Sequence, residues 1–189
     1  MMVGTAHPWH DVTVGDAIPN EVIAVIEIPS GSRTKYELDK PSGLIRLDRV
    51  LFSPVHYPAN YGLIPQTYYS DGDPLDILVI CSEALVPMSL VKARIIGMME
   101  MIDSDMDDNK IIAVAANDAS LAYVKNIEDL PPHTTHEFRN FFEDYKKLEG
   151  KSVQVLGFKG RSAAFACIME SIALYKQEIK ATVKKQVNG

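Results

Sequence analysis

Apolar residues along this chain fall into short runs broken by turn residues, followed by two helical stretches toward the C-terminus. Glu21 to Pro29 reads Glu-Val-Ile-Ala-Val-Ile-Glu-Ile-Pro, a β-branched and mostly buried strand. Ser30-Gly31-Ser32 turns the chain. Lys35-Tyr36-Glu37-Leu38-Asp39 then alternates, which puts Lys35, Glu37 and Asp39 on one face of a second strand. Taken alone, that face reads as solvated. After a turn at Pro41-Ser42-Gly43, Leu44 to Leu51 gives a third strand holding Arg46 and Arg49. Tyr57-Pro58-Ala59-Asn60-Tyr61-Gly62 reads as a turn rich in tyrosine, and Asp76-Ile77-Leu78-Val79-Ile80 as a buried strand. Ser89 to Ile102 is long enough for one bent strand, with Gly97 at the bend, and Lys110 to Ala116 makes another.

The helical stretches come next. Pro131-Pro132 punctuates the chain, and Thr134-Thr135-His136-Glu137 fits a capping box with Thr134 as N-cap. Phe138, Phe141, Phe142, Tyr145 and Leu148 follow at helical spacing. Lys151 to Phe158 is the last strand. Ala163 to Ile179 is an amphipathic helix with Ile168, Ile172, Tyr175 and Ile179 on one side. Residues 1–6 and 180–189 are expected to fray. Short strands joined by tight turns are the pattern of small barrels and sandwiches. With no internal repeat or linker, 189 residues predict a single domain over the whole chain, α+β but mainly β.

Charge narrows the function classes. The formal net charge of −6 argues against a nucleic-acid partner, which calls for a basic surface. No apolar run approaches the length of a membrane span. Met1-Met2-Val3-Gly4-Thr5 lacks the features of a secretory signal, and Gly4 is misplaced for myristoylation. Cys81 and Cys167 are far apart in apolar settings, as reduced core thiols would be, so a cytoplasmic protein is expected. His7-Pro8-Trp9-His10 reads as a docked N-terminal segment, because no third ligand is near in sequence.

The chemistry concentrates in Asp71-Gly72-Asp73-Pro74-Leu75-Asp76. Three carboxylates on a stiff turn repel one another unless a cation joins them. Oxygen ligands suit Mg²⁺ or Mn²⁺. A second cluster, Asp103-Ser104-Asp105-Met106-Asp107-Asp108, sits between two strands. Neither cluster fits a calcium-binding EF-hand loop: the first has Leu75 and Ser82 where Asp and Glu are needed, and the second has Asp108 and Val114 in place of Gly and Glu. The two clusters could converge on the same cations. Glu27, near the end of an apolar run, needs a partner or a cation if it is buried. Together with Glu37, Lys35, Arg49, Lys110, Lys146, Tyr61 and Tyr145, these acids make the kit of a Mg²⁺-dependent phosphoryl site with a cation-activated water as nucleophile. There is no P-loop and no nucleophile elbow. A metal-binding or anion-binding module without catalysis and a Mg²⁺ hydrolase of nucleotides or polyphosphate are the other readings.

At these residues the chain resembles the family I soluble inorganic pyrophosphatases. The resemblance rests on Asp71-Gly72-Asp73-Pro74-Leu75-Asp76, which matches an Asp-x-Asp-Pro-x-Asp motif. It extends through Ile26-Glu27-Ile28-Pro29, Lys35-Tyr36-Glu37, Asp48-Arg49, Tyr57 to Gly62, Asp103 to Lys110, and Phe141-Phe142-Glu143-Asp144-Tyr145-Lys146, across roughly residues 7–178. It implies an OB-like five-stranded closed β-barrel with flanking strands and two main helices. The implied activity is hydrolysis of diphosphate to two phosphates with several Mg²⁺ ions, for which Mn²⁺ or Zn²⁺ could substitute. By the same resemblance Asp71, Asp76, Asp103 and Asp108 are metal ligands, Glu27 and Glu37 support an outer metal through water, and Asp73 is the general base. Lys35, Arg49, Tyr61, Lys110, Tyr145 and Lys146 hold the substrate, with Arg49 and Tyr61 also assisting the reaction. A homo-oligomer is implied, a hexamer by analogy with the shorter bacterial chains. Met106-Asp107 departs from many relatives, which have Gly-Glu there; the loop is still expected to place Asp103, Asp108 and Lys110.

Overall fold

The central strands are apolar on both faces: closure of the sheet buries one face, and packing against helices covers the other. In the computed structural model, which describes residues 6–187, the strands are β1 (Glu21–Ile28), β2 (Thr34–Asp39), β3 (Leu44–Val50), β4 (Asn60–Leu63), β5 (Asp76–Ile80), β6 (Leu90–Asp103), β7 (Met106–Asp107), β8 (Lys110–Ala115) and β9 (Val153–Gly160). The helices are α1 (Pro132–Asp144) and α2 (Arg161–Val187). β1 pairs with β4, β4 with β5, β5 with β8, β8 with β6, and β6 returns to β1, so five strands form a closed ring. Only β5 and β8 are parallel. This is the closed five-strand arrangement expected of an OB-like fold. β7 and β9 extend the sheet along β6, and β2 with β3 forms a separate hairpin.

β6 is the spine of the ring. Its 14 residues pair with β1, β8, β7 and β9 in turn. The expected bend occurs at Gly97, where the register with β8 shifts between Ile95 and Gly97. A Cβ at Gly97 would lie 2.5 Å from the Lys159 carbonyl of β9, so only glycine permits that approach.

Alternate residues of the same strand enter different packed clusters. Ile77 and Val79 of β5, Ile111 and Ala113 of β8, and Ala93 and Ile95 of β6 pack with Ala164, Ile168 and Ile172 of α2. Leu78, Ile112, Val114 and Ile96 pack instead with Phe138, Phe141 and Phe142 of α1. The runs therefore look continuously apolar in sequence because helices cover what the ring leaves outside. Trp9 docks the N-terminal segment, as expected: its indole N–H donates to the Thr67 carbonyl at 2.8 Å, and it packs with Leu38 and Leu63.

Several local expectations do not hold. Thr134 does not cap α1. Pro132 takes the first helical turn, where its missing N–H costs nothing, and no side chain caps the helix. α1 stops at Asp144 and a 3-10 turn follows, so Leu148 is exposed rather than on the helix face. The tyrosine-rich turn ends at Asn60, where β4 begins, because the backbone from Asn60 onward pairs with β5. On α2, Ile168 and Ile172 are buried, but Ile179 is 40% exposed. Of the ends expected to fray, residues 1–5 and 188–189 lie outside the described residues, and the α2 backbone runs on to Val187. Among the described residues no helix is long and apolar enough to cross a membrane.

Ile168 is fully buried between α2 and the ring. Ile168→Ala should lower the unfolding free energy by about 2–5 kcal/mol, read as a drop in denaturant midpoint with an unchanged m-value.

Candidate active site

Strand register carries the acidic and basic residues to one end of the ring. Parallel pairing aligns Ile77 of β5 with Ile111 of β8. The preceding residues, Asp76 and Lys110, therefore enter side by side. Lys110 is buried, and its ammonium bridges Asp76 and Asp108. Tyr61 on β4 donates its hydroxyl to the same Asp76 carboxylate at 2.5 Å. Burial alone would lower the Lys110 ammonium, but Asp76 and Asp108 raise it well above the ordinary lysine range. The Tyr61 hydroxyl is also held well above its usual range, first by burial and then by Asp76.

The second acidic cluster forms a hairpin. Asp103 pairs with Met106 across a turn in which Ser104 and Asp105 both have positive φ, 51° and 68°. This keeps Asp103 and Asp108 on the cavity although Met106 and Asp107 face solvent. Lys146, just past the end of α1, pairs with Asp103, and the Tyr145 hydroxyl lies 3.5 Å from the same carboxylate. Burial would raise the Asp103 carboxyl, but Lys146 draws it below its ordinary value. Tyr145 is buried in the aromatic cluster of Phe141 and Phe142, which aims its hydroxyl outward from the core.

The first acidic turn is tied down by its own carboxylates. The Asp73 backbone N–H donates to Asp71 Oδ1 at 3.0 Å, and the left-handed Gly72 (φ +85°) makes the reversal. Burial raises the Asp71 carboxyl, with Asp73, Asp76 and Asp108 adding to it. Burial is also the main cause of the raised Asp108 carboxyl, opposed by Lys110.

The remaining members come from β1, β2 and β3. Glu27 is 7% exposed and accepts the Leu38 backbone N–H at 2.7 Å. Burial, aided by Asp76, pushes its carboxyl up to about 8. The face expected to be solvated is covered at Lys35, 18% exposed, whereas Glu37 stays 53% exposed at the rim of the cavity. The two pair with each other and line the cavity, while Asp39 turns away to Arg46. Lys35 also reaches Asp48 at 2.9 Å.

One cavity of about 360 Å³ gathers Glu27, Lys35, Glu37, Tyr61, Asp71, Asp73, Asp76, Asp103, Asp108, Lys110, Tyr145 and Lys146. Arg49 alone of the thirteen predicted site residues is not on its wall. It stands opposite Lys35 in the β2–β3 register, donates from Nε to Glu149 at 2.8 Å and pairs with Asp48. One of its terminal nitrogens is buried without a partner among the described residues. Sequence reading missed Lys40, which lines the cavity and pairs with Asp73, and the two acids that hold Lys35 and Arg49, Asp48 and Glu149. Asp48 stood within a quoted motif; Lys40, in a turn, carried no signal of its own.

The donor set is all oxygen, which suits a hard divalent cation. Seven carboxylates line the cavity against four lysine ammonium groups. Among the described residues no three acids or histidines converge as a ready-made cage. Five of the seven are instead paired with Lys35, Lys40, Lys110 and Lys146, while Glu27 and Asp71 accept backbone N–H groups.

Comparison with known proteins gives the family. The inorganic pyrophosphatase family profile matches residues 24–176. A soluble inorganic pyrophosphatase of Oryza sativa subsp. indica is 49% identical over 180 residues, covering 95% of this chain and 84% of that protein. Soluble inorganic pyrophosphatase 2 of Chlamydomonas reinhardtii is 49% identical over 175 residues, 92% of this chain and 91% of its own. Among solved structures, the inorganic pyrophosphatase from Thermus thermophilus superimposes with a TM-score of 0.87 at 42% identity, covering 91% of this chain and 99% of that one. With its acidic cavity at the end of a closed five-strand ring, the chain belongs to the inorganic pyrophosphatase family.

Proposed function

We propose that this chain hydrolyses inorganic diphosphate to two phosphates in the cavity at the end of the ring. The observation that carries the reading is charge. Carboxylates outnumber ammonium groups on the wall seven to four, and they still do so with Glu27 protonated. A polyanionic substrate cannot enter such a wall unless cations come first. Mg²⁺ fits the oxygen donors, with Mn²⁺ or Zn²⁺ as substitutes. Bound Mg²⁺ would neutralise phosphate charge and make water more acidic.

The protein's own groups have separable roles in this reading. Asp71, Asp76, Asp103 and Asp108 would hold the cations, with Glu27 and Glu37 at the outer edge. Asp73, half exposed and next to Asp71, takes the proton from the attacking water. Lys35, Lys146, Tyr145 and Arg49 bind phosphate oxygens, and the unpartnered nitrogen of Arg49 is a donor in reserve for one of them. Lys110 and Tyr61 orient Asp76 and face the same oxygens. Charge-assisted donors held in a partly dry cavity stabilise charge that grows on the leaving phosphate.

The exposed apolar side chains Leu44, Leu47, Val50 and Phe52 lie along and just after β3. A stripe of this kind supports self-association. The reading includes a homo-oligomer, with a hexamer expected from light scattering. A cytoplasmic site of action fits Cys81 and Cys167, which are both free.

The direct test is phosphate release from diphosphate and from ATP, with Mg²⁺ and with EDTA. Release from diphosphate alone, abolished by EDTA, supports the proposal. Release from ATP at a comparable rate would favour a broader phosphohydrolase, and no release with any divalent cation would favour a binding module. Asp73→Asn should lower kcat by about 10²–10⁴-fold with an unchanged circular dichroism spectrum. Arg49→Lys should lose roughly tenfold or more in kcat/KM, because an ammonium cannot reproduce the forked donors of a guanidinium.

A further inference from the structure

Lys40 is absent from every motif of the sequence, yet it sits where three parts of the fold meet. It follows β2 directly, in the turn of the β2–β3 hairpin. Its ammonium pairs with Asp73 on the acidic turn and lies 3.3 Å from the Gly72 carbonyl. The same ammonium is 5.8 Å from the ring centroid of Trp9, close enough for a cation–π attraction. Its backbone carbonyl is hydrogen-bonded to His7 Nε2 at 2.7 Å.

The N-terminal segment is itself rigidly built. His7, His10 and Trp9 stack in sequence, with centroids 4.6 Å apart at each step. Trp9 also stacks on Tyr68 at 6.2 Å, and His10 Nδ1 is 2.7 Å from the Tyr175 hydroxyl of α2. The Trp9 ring is therefore fixed by its neighbours and by its hydrogen bond to Thr67, while Lys40 and Asp73 are each about half exposed, at 48% and 47%. A half-exposed carboxylate has several rotamers open to it unless a partner restricts them.

We propose that Lys40 is a positioning residue for the reaction: docked on the N-terminal aromatic stack, it holds the carboxylate of Asp73 at the mouth of the cavity. This rests on the reading of the cavity as a diphosphatase site. The contact also ties the hairpin that carries Lys35 and Glu37 to the turn that carries Asp71 and Asp73. A base displaced by even one ångström loses rate without losing substrate affinity.

Two measurements test this. In steady-state kinetics with Mg²⁺ and diphosphate, Lys40→Met should lower kcat roughly tenfold with KM changed less than about twofold, and Lys40→Arg should restore most of the loss. An unchanged kcat, an equal loss in both variants, or a loss confined to KM would overturn the inference and leave the diphosphatase reading intact. The second measurement needs no activity. Trp9 is the only tryptophan of the chain, so its emission reports on Lys40. At pH 8 His10, lowered by burial and by His7, is neutral and constant. Asp73→Asn should shift Trp9 emission in the wild-type background and lose that shift when Lys40→Met is already present. Equal shifts in both backgrounds, or none in either, would overturn the contact. Wild-type protein that releases no phosphate would remove the diphosphatase reading and the kinetic role of Lys40 with it, and the emission cycle would then decide the contact alone.

Discussion

The buried ammonium of Lys110 is the interaction on which the rest of the site depends. It is almost fully removed from water and bonded to Asp76 and Asp108. Those two acids come from the two separate acidic clusters of the sequence. A charge in that position is tolerated only with both partners in place, and removing one partner of a buried pair typically costs about 3–5 kcal/mol. The parallel pairing of β5 with β8 puts it there. The one parallel junction in an otherwise antiparallel ring is therefore also the junction that brings the acids together.

Around this centre the structure supplies two rigid walls. On one side, the aromatic face of α1 buries Phe138, Phe141 and Phe142 against the ring, and the helix ends where Tyr145 and Lys146 reach Asp103. On the other, the β2–β3 hairpin carries Lys35, Glu37 and Lys40, and Glu27 clamps it to β1 through the Leu38 amide. Arg49 is fixed behind this wall by Asp48 and Glu149. Each cation of the site is thus held by an anion that could be exchanged for a phosphate oxygen. In the proposed reaction such preorganisation would let a charged substrate bind without the protein first paying to arrange its donors.

Burial first, and neighbouring carboxylates second, raise three carboxyl groups of the cavity. Asp71, Asp108 and Glu27 lie among like charges in a partly dry space, with burial the largest cause in each case. The same groups would return toward their ordinary values beside divalent cations. Family membership, the oxygen-only donor set and the charge of the wall all point to the same chemistry.

Much of this was legible in the residues alone. The acidic turn, the second Asp cluster, the misplaced acid Glu27 and the strand runs were visible because they break or keep simple local patterns. Gly97 marked the bend of β6 for the same reason. Local rules failed where two signals competed, as when Pro132 pre-empted the Thr134 cap, and where burial depends on distant chain, as when Ile179 and Leu148 ran past the surface that would have covered them. Alternation alone left Lys35 as solvated, since it gives a shared face but not what that face meets. The sequence by itself determined the family motif, the acids and bases that are candidates for phosphoryl chemistry, and which segments would be strands. Only the tertiary structure decided that β5 lies parallel to β8, that Lys110 joins the two acidic clusters, and that Lys40 meets both Asp73 and Trp9, because those contacts depend on register and ring closure between segments far apart in the chain.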